Sequence, residues 1–174
     1  MPEPRDIKTL PEMFFRRTAA SPEADAIQYK EGNRWLSITW KELEGRVRTL
    51  ARGISDWVSP GDKVCILSEN RTEWWMADLA TLALAGASAP IYATNPAKDV
   101  AYIINDCLCE LLLVSTAEQL DKIRKLKAED KIPHLKRVIV FDAVDAPEEW
   151  IFTLDEVLAR NAEDEDPIPA RMEK

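Results

Sequence analysis

The sequence predicts an α/β fold: a doubly wound, mostly parallel sheet with flanking helices, preceded by an N-terminal β-hairpin and forming part of a larger domain. The first observation is an alternation. From Val64 onward, short apolar runs (Val64–Leu67, Ala89–Tyr92, Leu111–Val114 and Val138–Phe141) alternate with helical patterns. Continuous apolar strands separated by helices are what a parallel sheet covered on both faces requires. The second observation is the recurrence of Ser/Thr-x-x-Glu, a capping-box pattern that marks helix starts. The third lies upstream, where Ala26–Tyr29 and Trp35–Ile38 flank Lys30-Glu31-Gly32-Asn33 and read as a hairpin.

In chain order, residues 1–8 are rich in Pro and charge and are expected to be flexible. Thr9-x-x-Glu12 opens a helix to about Ala20. Pro11 is tolerated in its first turn, and Leu10, Met13, Phe14 and Thr18 share one face. Thr39-x-x-Glu42 opens a second helix, whose Leu43, Val47, Leu50, Ala51 and Ile54 form an amphipathic stripe. Its other face, with Lys41, Glu44, Arg46, Arg48 and Arg52, reads as solvated. Ser59-Pro60-Gly61-Asp62 is a turn. After the first parallel strand, Ser68-Glu69-Asn70-Arg71 bends the chain into a helix capped by Thr72. The segment Trp74–Ala87 is apolar but contains Asp78 and falls short of the roughly 20 residues of a membrane span. It reads as a buried helix.

Pro90 weakens a central strand, so the second parallel strand is expected at an edge or to start after the proline. Asn95-Pro96 reads as N-cap and N1 of a helix through Val100, Ile103 and Ile104. Ser115-x-x-Glu118 caps a helix carrying Leu120, Ile123 and Leu126, and Thr153-x-x-Glu156 caps a short one through Val157 and Leu158. Residues 9–162 thus form the folded unit. Residues 163–174, with Glu163-Asp164-Glu165-Asp166 followed by Pro167-Ile168-Pro169, have the composition of an acidic linker.

At 46% hydrophobic and 31% charged residues the chain is globular. A net charge of −8 argues against nucleic acid, whose phosphates need clustered Lys and Arg, and against anionic lipid surfaces. Cys65, Cys107 and Cys109 are an odd number in a chain without a signal-peptide pattern, so reduced thiols and a cytoplasmic setting are expected. Cys107-x-Cys109 lacks a second cysteine pair, and His134 is the sole histidine, too few ligands for a metal site.

Ligands of open parallel sheets bind beyond the carboxyl ends of the strands. The positions to inspect are therefore 68–71, 93–95, 115–116 and Asp142. None carries a glycine-rich phosphate loop, since the five glycines are scattered at 32, 45, 53, 61 and 86. His134 has no nucleophile-elbow pattern beside it. Asn70, Arg71 and Trp74, with Thr94 at the next strand end, are the only candidate site residues, and helix entry accounts for the first three more readily than ligand binding does. No catalytic, cofactor-binding or metal residue is assigned.

The blocks SENRTEW (68–74), ADLA (77–80), GASAPIYATNP (86–96) and VAYIIND (100–106) stand in order with WLSITWKEL (35–43) and PGDKV (60–64). From about Leu10 to Phe141 the chain closely resembles the N-terminal part of adenylate-forming enzymes, and within them the bacterial long-chain fatty acyl-CoA synthetases. The resemblance implies a parent enzyme that uses ATP, Mg²⁺ and coenzyme A: a fatty acid becomes an acyl-adenylate, then a thioester. The family's Ser/Thr/Gly-rich loop, its acidic nucleotide-binding segment and its C-terminal lysine are absent here, so no family catalytic residue transfers to any position. The chain is therefore expected to be an inactive piece of a longer synthetase that exposes apolar surface and self-associates. An aryl-CoA ligase, a peptide-synthetase adenylation domain and a stand-alone interaction module remain alternatives, and contact of the parent with a membrane is left open.

Overall fold

The computed structural model describes residues 7–145 and 148–172. Met1–Asp6, most of the segment expected to be flexible, lie outside the described residues. The elements are α1 (Leu10–Ala20), β1 (Asp25–Glu31), β2 (Arg34–Thr39), α2 (Trp40–Ile54), β3 (Lys63–Ser68), α3 (Thr72–Ala83), β4 (Ala87–Tyr92), α4 (Ala97–Asp106), β5 (Leu111–Val114), α5 (Ala117–Ala128), β6 (Arg137–Val140), β7 (Ile151–Thr153), α6 (Leu154–Ala159) and α7 (Ile168–Met172).

The sheet has the order β4-β3-β5-β6-β7 with every pairing parallel. Its apolar strands sort by the period of two that pleating imposes. Val64 and Ile66 of β3, Leu111 and Leu113 of β5, and Ile139 of β6 pack into one core. Cys65 and Leu67, Leu112 and Val114, and Val138 and Val140 pack into the other. The first core is covered by α2, α3 and α6, and the second by α4 and α5. The sheet is therefore wound on both faces, and its unbroken apolar runs follow from burial on both sides. β4 is an edge strand, the position in which Pro90 is tolerated.

Several details differ from the sequence reading. β7 adds a fifth strand; three residues after a polar stretch are too short to read as one. Helix α5 is capped by Thr116, whose hydroxyl accepts from Gln119 N, not by Ser115. Ser115 is instead fully buried at the end of β5, so the capping pattern slips by one residue. Arg71 and Pro96, not Thr72 and Asn95, hold the N-cap positions of α3 and α4. Leu10 and Met13 do not join the core of α1, where Pro11, Phe14 and Thr18 are the buried residues.

The hairpin closes through Gly32 at φ +57°, a conformation glycine adopts without strain, and packs beside α1 and α2. Thr39 and Thr153 form complete capping boxes with Glu42 and Glu156. Thr9 caps α1, but Glu12 turns to the backbone N–H of Lys8, so that box is half made. The polar face of α2 is not simply solvated. Glu44 accepts from the buried Thr18 hydroxyl, and Arg48 pairs with Glu44 and Asp166 while lying over the Phe15 ring. The acidic stretch with linker composition is anchored over its described part. Besides the Asp166 pair, Ile168 is 2% exposed in the first core and Arg171 donates to Ser55 O.

Candidate functional site

The chain runs from β3 to its neighbour β4 on one side, then returns to β5 on the other. This reversal places a crevice beyond the carboxyl ends of β3 and β5, the place where such sheets bind ligands. Its walls are the bend 68–71, the α5 cap at 115–116 and Asp142 after β6. The sequence expectation located this region; the side chains decide what it can do.

Arg71 fills one half. Its guanidinium donates to Asp142 at 2.9 Å, to the Ser115 carbonyl at 3.2 Å and to both oxygens of Glu73, at 2.9 and 3.2 Å, and it lies over the Phe141 ring. The fork shape of guanidinium suits this divided bonding. These carboxylates raise the Arg71 pKa, Glu73 most strongly. Burial pushes Glu73 up, but the bonds from Arg71, with smaller help from the helix backbone and Thr72, hold it below the usual carboxylate range. Arg71 thus ties together the ends of β3, β5 and β6. Its donors are already engaged.

The other half carries unused capacity. Glu69 is exposed at the bend. Ser115 Oγ reaches no partner with full hydrogen-bond geometry, yet its proximity is the largest influence holding the Glu69 carboxyl down. Gln119 gives its Nε2 to Ala93 O, leaving a buried Oε1 without a partner. Lys122 donates to the carbonyls of Ala93 at 3.3 Å and Asn95 at 2.9 Å, fixing the turn after β4. The arrangement offers hydrogen-bond acceptors and a carboxylate.

Of the four sequence candidates, Arg71 is at the centre of the crevice. Asn70 is exposed and lines a cleft of about 670 Å³ between the bend and the hairpin residues Gln28, Lys30 and Trp35. Trp74 packs half-buried against the first core, edge-on to Trp75, where it supports α3. Thr94 is exposed in the turn that Lys122 holds. Sequence reading did not single out Gln119 or Lys122. The only signal was their spacing of three on α5, which places both on the side facing that turn. Among the described residues no group of three or more His, Cys, Asp or Glu is placed to hold a metal ion. The three cysteines form no disulfide, and the hydrogen bond with Cys109, then burial, raises the pKa of Cys65.

Residues 14–173 match the family described as AMP-binding enzyme. A long-chain-fatty-acid–CoA ligase of Xenopus laevis is 29% identical over 145 residues, 80% of this chain and 19% of that protein. One of Mycobacterium bovis is 30% identical over 128 residues, 73% of this chain and 21% of that protein. The chain spans about a fifth of the length of the curated relatives it matches. Among solved structures, acetoacetyl-CoA synthetase from Streptomyces lividans gives a TM-score of 0.77 at 23% identity, covering 91% of this chain and 25% of that one. An anthranilate CoA ligase in complex with anthranoyl-AMP gives 0.76 at 17% identity, covering 90% and 29%. Both likenesses are of fold.

Proposed function

This chain belongs to the AMP-binding enzyme family, and we propose that it is the N-terminal α/β part of a cytoplasmic ligase that joins a long-chain fatty acid to coenzyme A. The observation that carries the reading is the family match across residues 14–173, taken with the long-chain ligases among the relatives. In the reaction so implied, the fatty carboxylate attacks the α-phosphate of ATP and releases pyrophosphate. The coenzyme A thiol then attacks the acyl carbon and releases AMP. Mg²⁺ would neutralise phosphate charge.

The described residues do not fit an ATP–Mg²⁺ site. The glycines at 32, 45, 53, 61 and 86 form no phosphate loop, and no group of three or more His, Cys, Asp or Glu among the described residues is placed to hold a cation. No chemical step is therefore assigned to this chain. Its contribution is architectural: Arg71 holds three strand ends in register, and Gln119 and Lys122 hold the β4–α4 turn. No helix among the described residues is long and apolar enough to cross a membrane.

The test is a chimera in which this chain replaces the matching segment of the Mycobacterium bovis ligase. ATP- and coenzyme A-dependent formation of palmitoyl-CoA is expected. A folded chimera that releases no pyrophosphate with any long-chain acid would overturn the reading. Calorimetry of the chain alone with Mg²⁺ and ATP should show no binding, and micromolar affinity would refute the architectural role. A second reading, an adenylate-forming enzyme for another acid, draws on the equally close fold of the anthranilate and acetoacetyl enzymes. Pyrophosphate release with aryl or short acids alone would favour it.

A further inference from the structure

The three cysteines come from separate elements and meet in the second core. Cys65 is fully buried in β3, Cys109 is fully buried in the turn before β5, and Cys107 is half-buried at the end of α4. The pleat of β3 aims Cys65 into that core. The turn explains why Cys107 and Cys109 meet different surroundings. Helix α4 ends with Leu108 at φ +51°, in the left-handed region that glycine usually supplies after a helix, and Cys109 N–H donates back to Ile104 O at 2.9 Å. The reversal turns Cys109 inward, while Cys107 stays on the wall of a cavity of about 210 Å³ at the amino ends of β3 and β5.

A buried cysteine is ordinarily an inert small hydrophobe. This trio differs because its thiols are polarised against one another. Cys65 is hydrogen-bonded to Cys109 and lies within reach of Cys107. The bond with Cys109, then burial, pushes the Cys65 thiol up, whereas the bond accepted from Cys65 holds Cys109 below the usual thiol range against the opposing push of burial. The proton of Cys109 itself points to Leu111 O, 2.9 Å away. Cys65 is therefore the thiol that keeps its proton and Cys109 the sulfur that ionises. One protonated and one ionised sulfur side by side is the arrangement of dithiols that undergo oxidation.

We propose that Cys65 and Cys109 are a redox couple, closed to a disulfide by a hydroperoxide small enough to reach them past Cys107. With hydrogen peroxide, the Cys109 thiolate attacks one oxygen, the O–O bond breaks and hydroxide leaves, giving a sulfenic acid. The sulfur of Cys65 then attacks the sulfur of Cys109. The S–O bond breaks, and the hydroxyl leaves as water with the Cys65 proton. Two electrons pass from the pair of thiols to the peroxide. The new bond fastens the α4–β5 turn to β3 and closes the chain between the two cysteines into a loop.

Peroxide treatment of the whole folded chain, followed by alkylation and peptide mapping without reductant, should give one disulfide, Cys65 to Cys109, with Cys107 still free. Dithiothreitol should reverse it. Oxidation should raise the thermal midpoint by roughly 5 °C or more, because the cross-link restricts the unfolded chain. C107S should keep both the disulfide and the shift. C65S and C109S should lose both, and in C65S dimedone should trap the sulfenic acid on Cys109. Circular dichroism of each variant separates loss of the couple from loss of the fold, and the map of the unsubstituted chain decides the pairing without any variant. Three thiols still free after peroxide would overturn the proposal, and so would a disulfide that ends on Cys107.

Discussion

The sheet of residues 63–153 and the layer of residues 9–54 are built from the same kinds of residue, yet they differ in how completely they are covered. Each central strand places alternate side chains in two cores, so β3, β5 and β6 are saturated with apolar contacts. The N-terminal layer buries one stripe of α2 completely, but α1 and the hairpin leave Leu10, Met13 and Trp35 in solvent. Apolar content alone therefore does not measure what a residue contributes. The number of covered faces does, because burial free energy scales with the area removed from water.

Matched leucines test this directly. Leu113, fully buried in β5, and Leu10, exposed at the start of α1, differ in coverage and not in chemistry. Leu113→Ala should cost about 3 kcal/mol or more, through lost transfer energy and the cavity left behind. Leu10→Ala should change monomer stability by no more than about 0.5 kcal/mol. Urea denaturation of the two variants at a concentration where the chain is monomeric reads both. Equal losses would show that the N-terminal layer is as tightly covered as the sheet.

Helix α2 spans the two regions, and its glycines give the next contrast. A Cβ at Gly53 would stand 2.2 Å from Val157 O of α6, so α2 and α6 touch backbone to backbone. Arg160 and Asn161 reinforce the contact through the carbonyls of Gly53 and Arg52. Gly53→Ala should cost about 2 kcal/mol or more, since a backbone must move. At Gly45 a Cβ meets nothing within 4 Å. Gly45→Ala should stabilise the chain by about 0.5–1 kcal/mol through helix propensity. Thermal unfolding should move the midpoint in opposite directions, and a stabilising Gly53→Ala would break the claim of close approach.

These differences also explain what was readable in the sequence. Strands β3 to β6 were legible because burial on both faces leaves short unbroken apolar runs such as Leu111–Val114, whereas β7, three residues long, was not. Thr39 and Thr153 were legible because capping is local. Leu10 and Met13 were not, because periodicity says that a face is apolar and not what lies against it. The same limit hid the bonding inside the crevice. Arg71 stood out at a strand end, but its bonds to Ser115 and Asp142 join residues 44 and 71 positions apart. Gln119 and Lys122 acquire meaning only through the carbonyls of Ala93 and Asn95, which belong to another element.

The last contrast concerns the polar end of the sheet. Glu73 is held below the usual carboxylate range because Arg71 outweighs the upward push of burial. A depressed native value means that the stability Glu73 supplies is present above its unfolded pKa and is lost as pH falls through the native one. Glu73 is partly exposed, so solvent screening limits the gain to about 1 kcal/mol at most. Arg71→Met should lower the unfolding midpoint at pH 6 and flatten its decline between pH 5 and pH 3, about the range in which such carboxylates titrate. In the N-terminal layer, Arg48→Met removes a comparable pairing with Glu44 and Asp166 but touches no strand end. Hydrogen exchange should then separate the two variants. Arg71→Met should speed exchange at 115–116 and around Asp142, which Arg71 bonds, and Arg48→Met should leave those segments unchanged. Identical patterns would mean that Arg71 is one more surface ion pair. Faster exchange confined to the strand ends would establish it as the link that keeps the crevice in shape, at a place where the fold supplies backbone ends and no apolar contact to hold them.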